Sequence, residues 1–386
     1  MTRPDTRLVE QIRAQLAESG EDPTPERVAA ALRSSGRLYG DRTVLALVDA
    51  LHRETVGAGP LEGLVRSAGV TDVLVNGPDE VYVDRGEGLE RTDVRFTDDA
   101  AVRRLAQRLA GIGGRRLDDA SPYVDVRLPD GTRMHAVLAP IARPGTAVSL
   151  RVPARRSFGL AELCRGAPDE ILDLLRRVVA ARVAFLVTGG TGSGKTTLLA
   201  AMLSEVGASE RIVLVEDASE LRPRHPHVVA LEARTANAEG AGAVVLRDLV
   251  RQALRMRPDR LVVGEVRGAE VVEMLAALNT GHEGGCGTLH ANAPRDVPAR
   301  VEALATAAGL ARAAAHSQLA AALDVVVHVA RAPDGRRRVA QIAIVAALDG
   351  RTVSCTPAVA VSAEGTVTRF PALDRLDHLL TGGRAT

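Results

Sequence analysis

The chain has 386 residues, more than one hydrophobic core usually organises, so two domains are expected. Its 49 basic and 48 acidic residues leave a net charge of +1, and only 2% of it is aromatic, with no Trp. That balance disfavours direct nucleic-acid binding through basic grooves and stacking rings. Cys164, Cys286 and Cys355 stand far apart, which argues against a disulfide framework or a zinc ribbon and fits a reducing compartment.

In chain order, residues 1–55 read as an N-terminal helical segment. Leu8, Ile12 and Leu16 recur at four-residue steps, and a second helical stretch runs over 41–55. The first of these is charged and lacks the apolar core of a signal peptide. VTDVLVNGPDEVYVDR then alternates apolar and polar residues and breaks at Asn76-Gly77-Pro78, which predicts a β-hairpin. A helix over 98–110 and a second hairpin turned at Pro129-Asp130-Gly131 complete a small α+β domain, residues 56–152. Residues 153–167 mix Pro, Arg and Gly and read as a linker.

The remainder, 168–386, is expected to form one α/β domain. It opens with a helix over 169–182, the strand VAFLVTG, a Gly-rich loop and a helix starting near Lys195. Strands at 211–215 and 261–263 follow, separated by helical stretches such as 243–256. Strands alternating with helices predict a mostly parallel sheet covered on both faces, the RecA-like α/β class. The apolar runs near 178–188 and 319–330 are too short to span a bilayer and are interrupted by Arg182 and Asp324. Any membrane association is therefore expected to come through a partner.

The Gly-rich loop carries the chemistry. Gly189, Gly190, Thr191, Gly192, Ser193, Gly194, Lys195, Thr196 and Thr197 fit G-x-x-x-x-G-K-[ST], placed between an apolar strand and a helix. Glycines let backbone N–H groups turn inward as a phosphate nest at a helix N-terminus. Lys195 is expected to reach the β/γ-phosphates of ATP, and Thr196 to ligate Mg²⁺. Of the 49 basic residues one is lysine, and it is Lys195; the other 48 are arginines. The exception falls where a compact ammonium on a flexible stem suits a phosphate cage better than a planar guanidinium.

Three further segments supply titratable groups. In LVVGEVRG an apolar strand ends in Gly264-Glu265, so Glu265 can face Mg²⁺, directly or through water, and the γ-phosphate. In LVEDASEL a Glu just past a strand can orient or deprotonate the attacking water, whereas Asp217 reads equally well as a helix N-cap with an acidic first turn. His282 and His290 stand in GHEGGCGTLHAN; neutral imidazole can sense or polarise a γ-phosphate, but a lone His is more often a core or surface residue. The pair forms no metal motif.

The order of these motifs, GGTGSGKTT, VEDASEL, RMRPDRLVVGEVRG and TGHEGGCGTLHAN, resembles the type II/type IV secretion and pilus-assembly ATPase superfamily. They correspond to its Walker A, Asp box, Walker B and His box. VTDVLVNGPDEVYVDR, SPYVDVRLPDGTRMHAVLAP and HPHVVALEAR extend the resemblance to the Tad/Flp-pilus branch, whose actinobacterial members are also labelled conjugal-transfer-associated. The resemblance covers roughly 56–350 and implies homohexameric ATPases with an N-terminal domain and a RecA-like C-terminal domain. Such proteins work at the cytoplasmic face of the inner membrane and move a platform protein of a pilus or secretion machine. It implies that Glu216 activates water, that Glu265 is the Walker B glutamate, and that His282 and His290 are the His-box pair. It further implies that arginines of the N-terminal domain neutralise transition-state charge on domain closure, with Arg127, Arg133 and Arg151 in the matching stretch.

Two departures stand out. Glu283-Gly284-Gly285-Cys286-Gly287 replaces a usually Ser-rich segment, and the four-cysteine zinc module of some relatives is missing, which favours the Tad side. The competing readings are a conjugation motor that moves DNA and a nucleotide-gated assembly module with little turnover. The acidic residues Glu216 and Glu265 argue against the second. A GTPase is disfavoured because Asn-Lys-x-Asp base selection needs a second lysine, and no lid with a substrate signature supports a small-molecule kinase.

Overall fold

A computed structural model describes residues 30–31, 57–86, 88–153, 157–234, 236, 241–281, 283–332, 335–348 and 352–382. The helices expected within 1–55 lie outside these residues except at 30–31, and so does His282. Contacts divide the chain into two compact units, residues 1–154 and 155–386.

In the first unit, alternation of Val with polar residues produces strands with one buried face. β1 (Asp72–Asn76) and β2 (Val81–Asp84) form the expected antiparallel hairpin. β3 (Leu89–Arg91) follows, then α1 (Asp99–Ile112), then the second hairpin of β4 (Tyr123–Arg127) and β5 (Arg133–Val137), and finally β6 (Ala147–Arg151). The six strands lie in the order β3-β2-β1-β6-β5-β4, antiparallel throughout. α1 starts where Asp98 Oδ1 accepts the N–H of Ala101 at 2.7 Å. It buries Val102, Leu105, Ala106 and Leu109, one stripe of the helix, against the sheet's Val73, Val126, Met134 and Leu150.

In the second unit, α2 (Asp169–Ala180) leads into β7 (Phe185–Gly189), α3 (Lys195–Leu203), β8 (Ile212–Glu216) and β9 (Val228–Glu232). α4 (Leu246–Ala253), β10 (Arg260–Val266), α5 (Glu270–Leu278), β11 (Cys286–His290), α6 (Val297–Ala307), α7 (Arg312–Ala322) and β12 (Val325–Arg331) continue the alternation. β13 (Arg337–Ala347), β14 (Val353–Val361), β15 (Val367–Arg369) and α8 (Ala372–Leu380) close it. The sheet order is β15-β14-β13-β12-β7-β11-β10-β8-β9. From β12 to β9 all neighbours are parallel, and β13 to β15 add an antiparallel extension.

Strands buried on both faces explain why β7 and β8 open with continuous apolar runs, Phe185–Val187 and Ile212–Val215. α2, α3 and α8 pack one face through Leu175, Met202 and Leu376, and α4 to α7 the other through Val250, Leu275, Val301 and Leu319. This is the RecA-like arrangement expected from the alternation. The parallel block also brings the C-terminal ends of β7, β8, β10 and β11 to one edge. Gly189, Glu216, Glu265 and His290 therefore share that edge, with His290 directly paired to Gly189.

Two local expectations are corrected. β10 does not end at Gly264-Glu265 but continues to Val266, with a register shift between Val263 and Val266 opposite Gly287–Leu289. No helix starts at Asp217; residues 217–221 run as bend and irregular chain after β8.

Candidate active site

The loop from β7 to α3 turns on glycines. Gly194 is the N-cap of α3 at φ +95°, left-handed geometry that a side chain resists. α3 has no side-chain cap and no acidic residue in its first turn, so its leading N–H groups are open to an anion. Lys195 is buried, and its Nζ donates to the carbonyls of Gly189 (3.1 Å) and Gly190 (2.9 Å). It also lies 3.3–3.4 Å from the two ring nitrogens of His290. Burial holds the ammonium below the usual lysine value, with the Glu265 carboxylate opposing that fall.

The acidic groups differ sharply in environment. Glu216 is 3% exposed at the end of β8, and its Oε1 accepts the N–H groups of Glu220 (3.0 Å) and Leu221 (2.9 Å). Its Oε2 is buried with no hydrogen bond among the described residues. Burial pushes its carboxyl up to about 7, against the pull of those two backbone bonds. Gly264 of β10 makes room for it, since a Cβ there would stand 2.6 Å from Glu216 Cγ.

Glu265 pairs with Arg267 and lies 2.8 Å from His290 Nε2, although its buried Oε1 makes no aligned hydrogen bond. Burial foremost, then Lys195, holds His290 below the usual imidazole value, so it is neutral near pH 7. Thr288 ties β11 to the bulged stretch of β10 by donating from Oγ1 to Gly264 O at 2.6 Å.

An open cavity of about 520 Å³ adjoins this edge, lined by Gly190, Thr191, His290, Asn292 and Arg300 among others. The site therefore combines an anion-ready helix start, a buried ammonium, a neutral imidazole and two carboxylates. Thr196 and Thr197 stand in the first turn of α3. The hydroxyl of Thr196 and the orphaned oxygen of Glu265 are the hard donors that Mg²⁺ takes one or two at a time beside phosphate oxygens and water. Among the described residues no group of three or more His, Cys, Asp or Glu forms a metal cage, so a cation here would be held jointly with phosphates.

The arginines Arg127, Arg133 and Arg151 belong to the first unit, where register aligns them in one cross-strand row over β4, β5 and β6. Their strand neighbours Val126, Met134 and Leu150 face the core, so the row lies on the opposite face. Arg133 forks onto Asp125 at 3.0 and 2.5 Å, and Arg151 Nε reaches Asp72 at 3.3 Å. The motif spacings do not single out Arg267, Thr288, Asn292 or Arg300, which the fold brings to this edge and its cavity. Arg267 was within sight, two residues after Glu265 in EVRG, whereas Arg300 carries no local signal and reaches the cavity only through the placement of α6.

A family model described as Type II/IV secretion system protein matches residues 54–374. A putative conjugal transfer protein of Mycobacterium tuberculosis is 59% identical over 327 residues, covering 83% of this chain and 93% of that protein. The type IV secretion system protein PtlH homolog of Bordetella bronchiseptica is 36% identical over 252 residues, 58% of this chain and 73% of that one. Among solved structures, the ATPase DotB of Yersinia pseudotuberculosis shares the fold, with a TM-score of 0.54 at 18% identity over 78% of this chain and 81% of that chain.

Proposed function

This chain belongs to the type II/IV secretion system protein family, and we propose that it is a motor ATPase converting ATP to ADP and phosphate. The observation that carries the reading is Glu216, a buried carboxylate poised near neutrality with one free oxygen, on the same sheet edge as Lys195 and Glu265. A module that only bound nucleotide would have no use for such a group.

In the proposed reaction, phosphates take the N–H groups of the loop and of the start of α3, and Lys195 exchanges its loop carbonyls for β/γ-phosphate oxygens. Glu216 accepts a proton from water through Oε2 as the water oxygen attacks the γ-phosphorus and the bond to ADP breaks. Neutral His290, beside Glu265, polarises the γ-phosphate. Thr196 and, directly or through water, Glu265 would hold Mg²⁺, which would supply charge neutralisation at the phosphate oxygens. Arg127, Arg133 and Arg151 are the first unit's candidates for further neutralisation.

The proposed working form is a homohexamer at the cytoplasmic face of the membrane, acting on a platform protein of a Tad/Flp-type pilus or secretion machine. Among the described residues no helix is long and apolar enough to cross a membrane. The name of the mycobacterial relative favours a second load, DNA in conjugal transfer. Stimulation of turnover by single-stranded DNA would support that load.

The test is steady-state ATPase activity against protein concentration, wild type beside Glu216→Gln, with particle size measured on the same samples. Activity that rises faster than linearly as a ring forms and vanishes in the mutant is expected. Tight binding without turnover, or turnover by a monomer indifferent to Glu216, would overturn the proposal.

A further inference from the structure

We propose that Arg337, at the start of β13, is the platform on which the purine base of the nucleotide stacks. The inference rests on the reading that the loop 189–197 binds ATP, and it names a residue outside every motif used for that reading.

Strand order gives the site a direction. β7, which delivers the loop, has β11 on one side and β12 with β13 on the other. Every group assigned to the γ-phosphate end lies on the β11 side: His290 on β11, Glu265 on β10 and Glu216 on β8. A nucleotide whose γ-phosphate points that way extends its ribose and base toward β12 and β13.

Arg337 stands there. A Cβ on Gly194 would sit 3.1 Å from Arg337 Cδ and 3.9 Å from its Cγ and Nε, so the arginine stem lies across the residue that begins the phosphate helix. The side chain is exposed and makes no hydrogen bond or ion pair among the described residues. Its neighbours are committed elsewhere: Arg338 donates to Val361 O, and Arg331 to Gly335 O at 3.2 Å.

The base needs a flat partner, and rings are scarce, with no Trp, three Tyr and four Phe in the whole chain. A guanidinium supplies a planar cation that stacks on aromatic faces. Arg337 thus takes the place an aromatic residue would fill in a chain richer in them.

The experiment compares full-length wild type, Arg337→Ala, Arg337→Lys and Arg337→Phe, with Lys195→Ala as control, for binding of Mg·ADP and of inorganic tripolyphosphate. Arg337→Ala is expected to weaken Mg·ADP about tenfold and leave tripolyphosphate unchanged. Phe is expected to restore the affinity and Lys to fail. Equal loss for both ligands, rescue by Lys, or no loss at all would overturn the platform. With Lys195→Ala still abolishing binding, such a result leaves the phosphate loop intact as a reading. Wild type that binds neither ligand would overturn both.

Discussion

A carboxylate taken out of water must be paired or protonated, and Glu216 is compensated at one oxygen only. Its carboxyl is raised from an ordinary value near 4.5 to about 7. The folded state therefore holds this proton more tightly than the unfolded chain does. Its contribution to stability is full below about 4.5 and is lost as pH rises through about 7. Glu216→Gln should accordingly stabilise the protein at pH 8 by roughly 3 kcal/mol, several degrees of Tm, and by almost nothing near pH 4. Thermal melts at the two pH values check this, and an equal shift at both would show that ionisation is not the cause. Turnover by the wild type should fall on the acid side with an apparent pKa near 7, as Glu216 takes up its proton, whereas binding of Mg·ADP should change little over that range. In VEDASEL this residue was legible as a Glu just past a strand, but its burial and its single compensated oxygen were not. The same letters also allow a helix cap at Asp217, and the irregular course of the chain after β8 removes that alternative.

At the level of elements, β7 and β8 were readable because strands buried on both faces are apolar along most of their length, with the polar Thr188 and Glu216 only toward their C-terminal ends. The bulge in β10 was not, because an extra residue in a strand is defined by a partner strand far away in sequence. It matters, since bulges re-aim side chains and this one falls at Glu265. Arg260 accounts for the glycine at 284, in the segment leading into β11. It is 2% exposed, forks onto Glu210 at 2.8 and 3.1 Å, and leaves no space at Gly284, where a Cβ would meet its guanidinium at 2.4 Å. The antiparallel extension β13 to β15 was also missed, because residues 337–369 carry no motif. Within that sheet, Thr188 of β7 and the buried His328 of β12 meet through Oγ1 and Nδ1 at 3.0 Å, immediately before the loop. Thr188→Val and His328→Ala should each cost about 1–3 kcal/mol, and the double mutant clearly less than their sum. Strict additivity in urea unfolding would mean that the pair does not couple the two strands.

At the scale of the whole molecule, two units of different architecture carry two sets of charge. The second unit supplies the sheet edge with its carboxylates; the first supplies a row of three arginines that register alone brings together. Sequence spacing placed Arg127 and Arg133 on one hairpin, but the alignment of all three depends on β5 pairing with both β4 and β6. Arg127→Ala is expected to lower kcat about tenfold or more while KM moves by less than about threefold, the pattern of a transition-state contact. Unchanged kinetics would remove Arg127 from the reaction. The solitary lysine has a consequence of another kind. A protease specific for lysine has one bond to cut in the entire chain, between Lys195 and Thr196. That bond lies at the start of a folded helix, with its recognition side chain 7% exposed. Cleavage into two fragments can proceed only when this helix start opens locally, so its rate reports the opening equilibrium of a single turn. The chain carries its own footprinting probe, and Mg·ADP should slow the scission in proportion to occupancy.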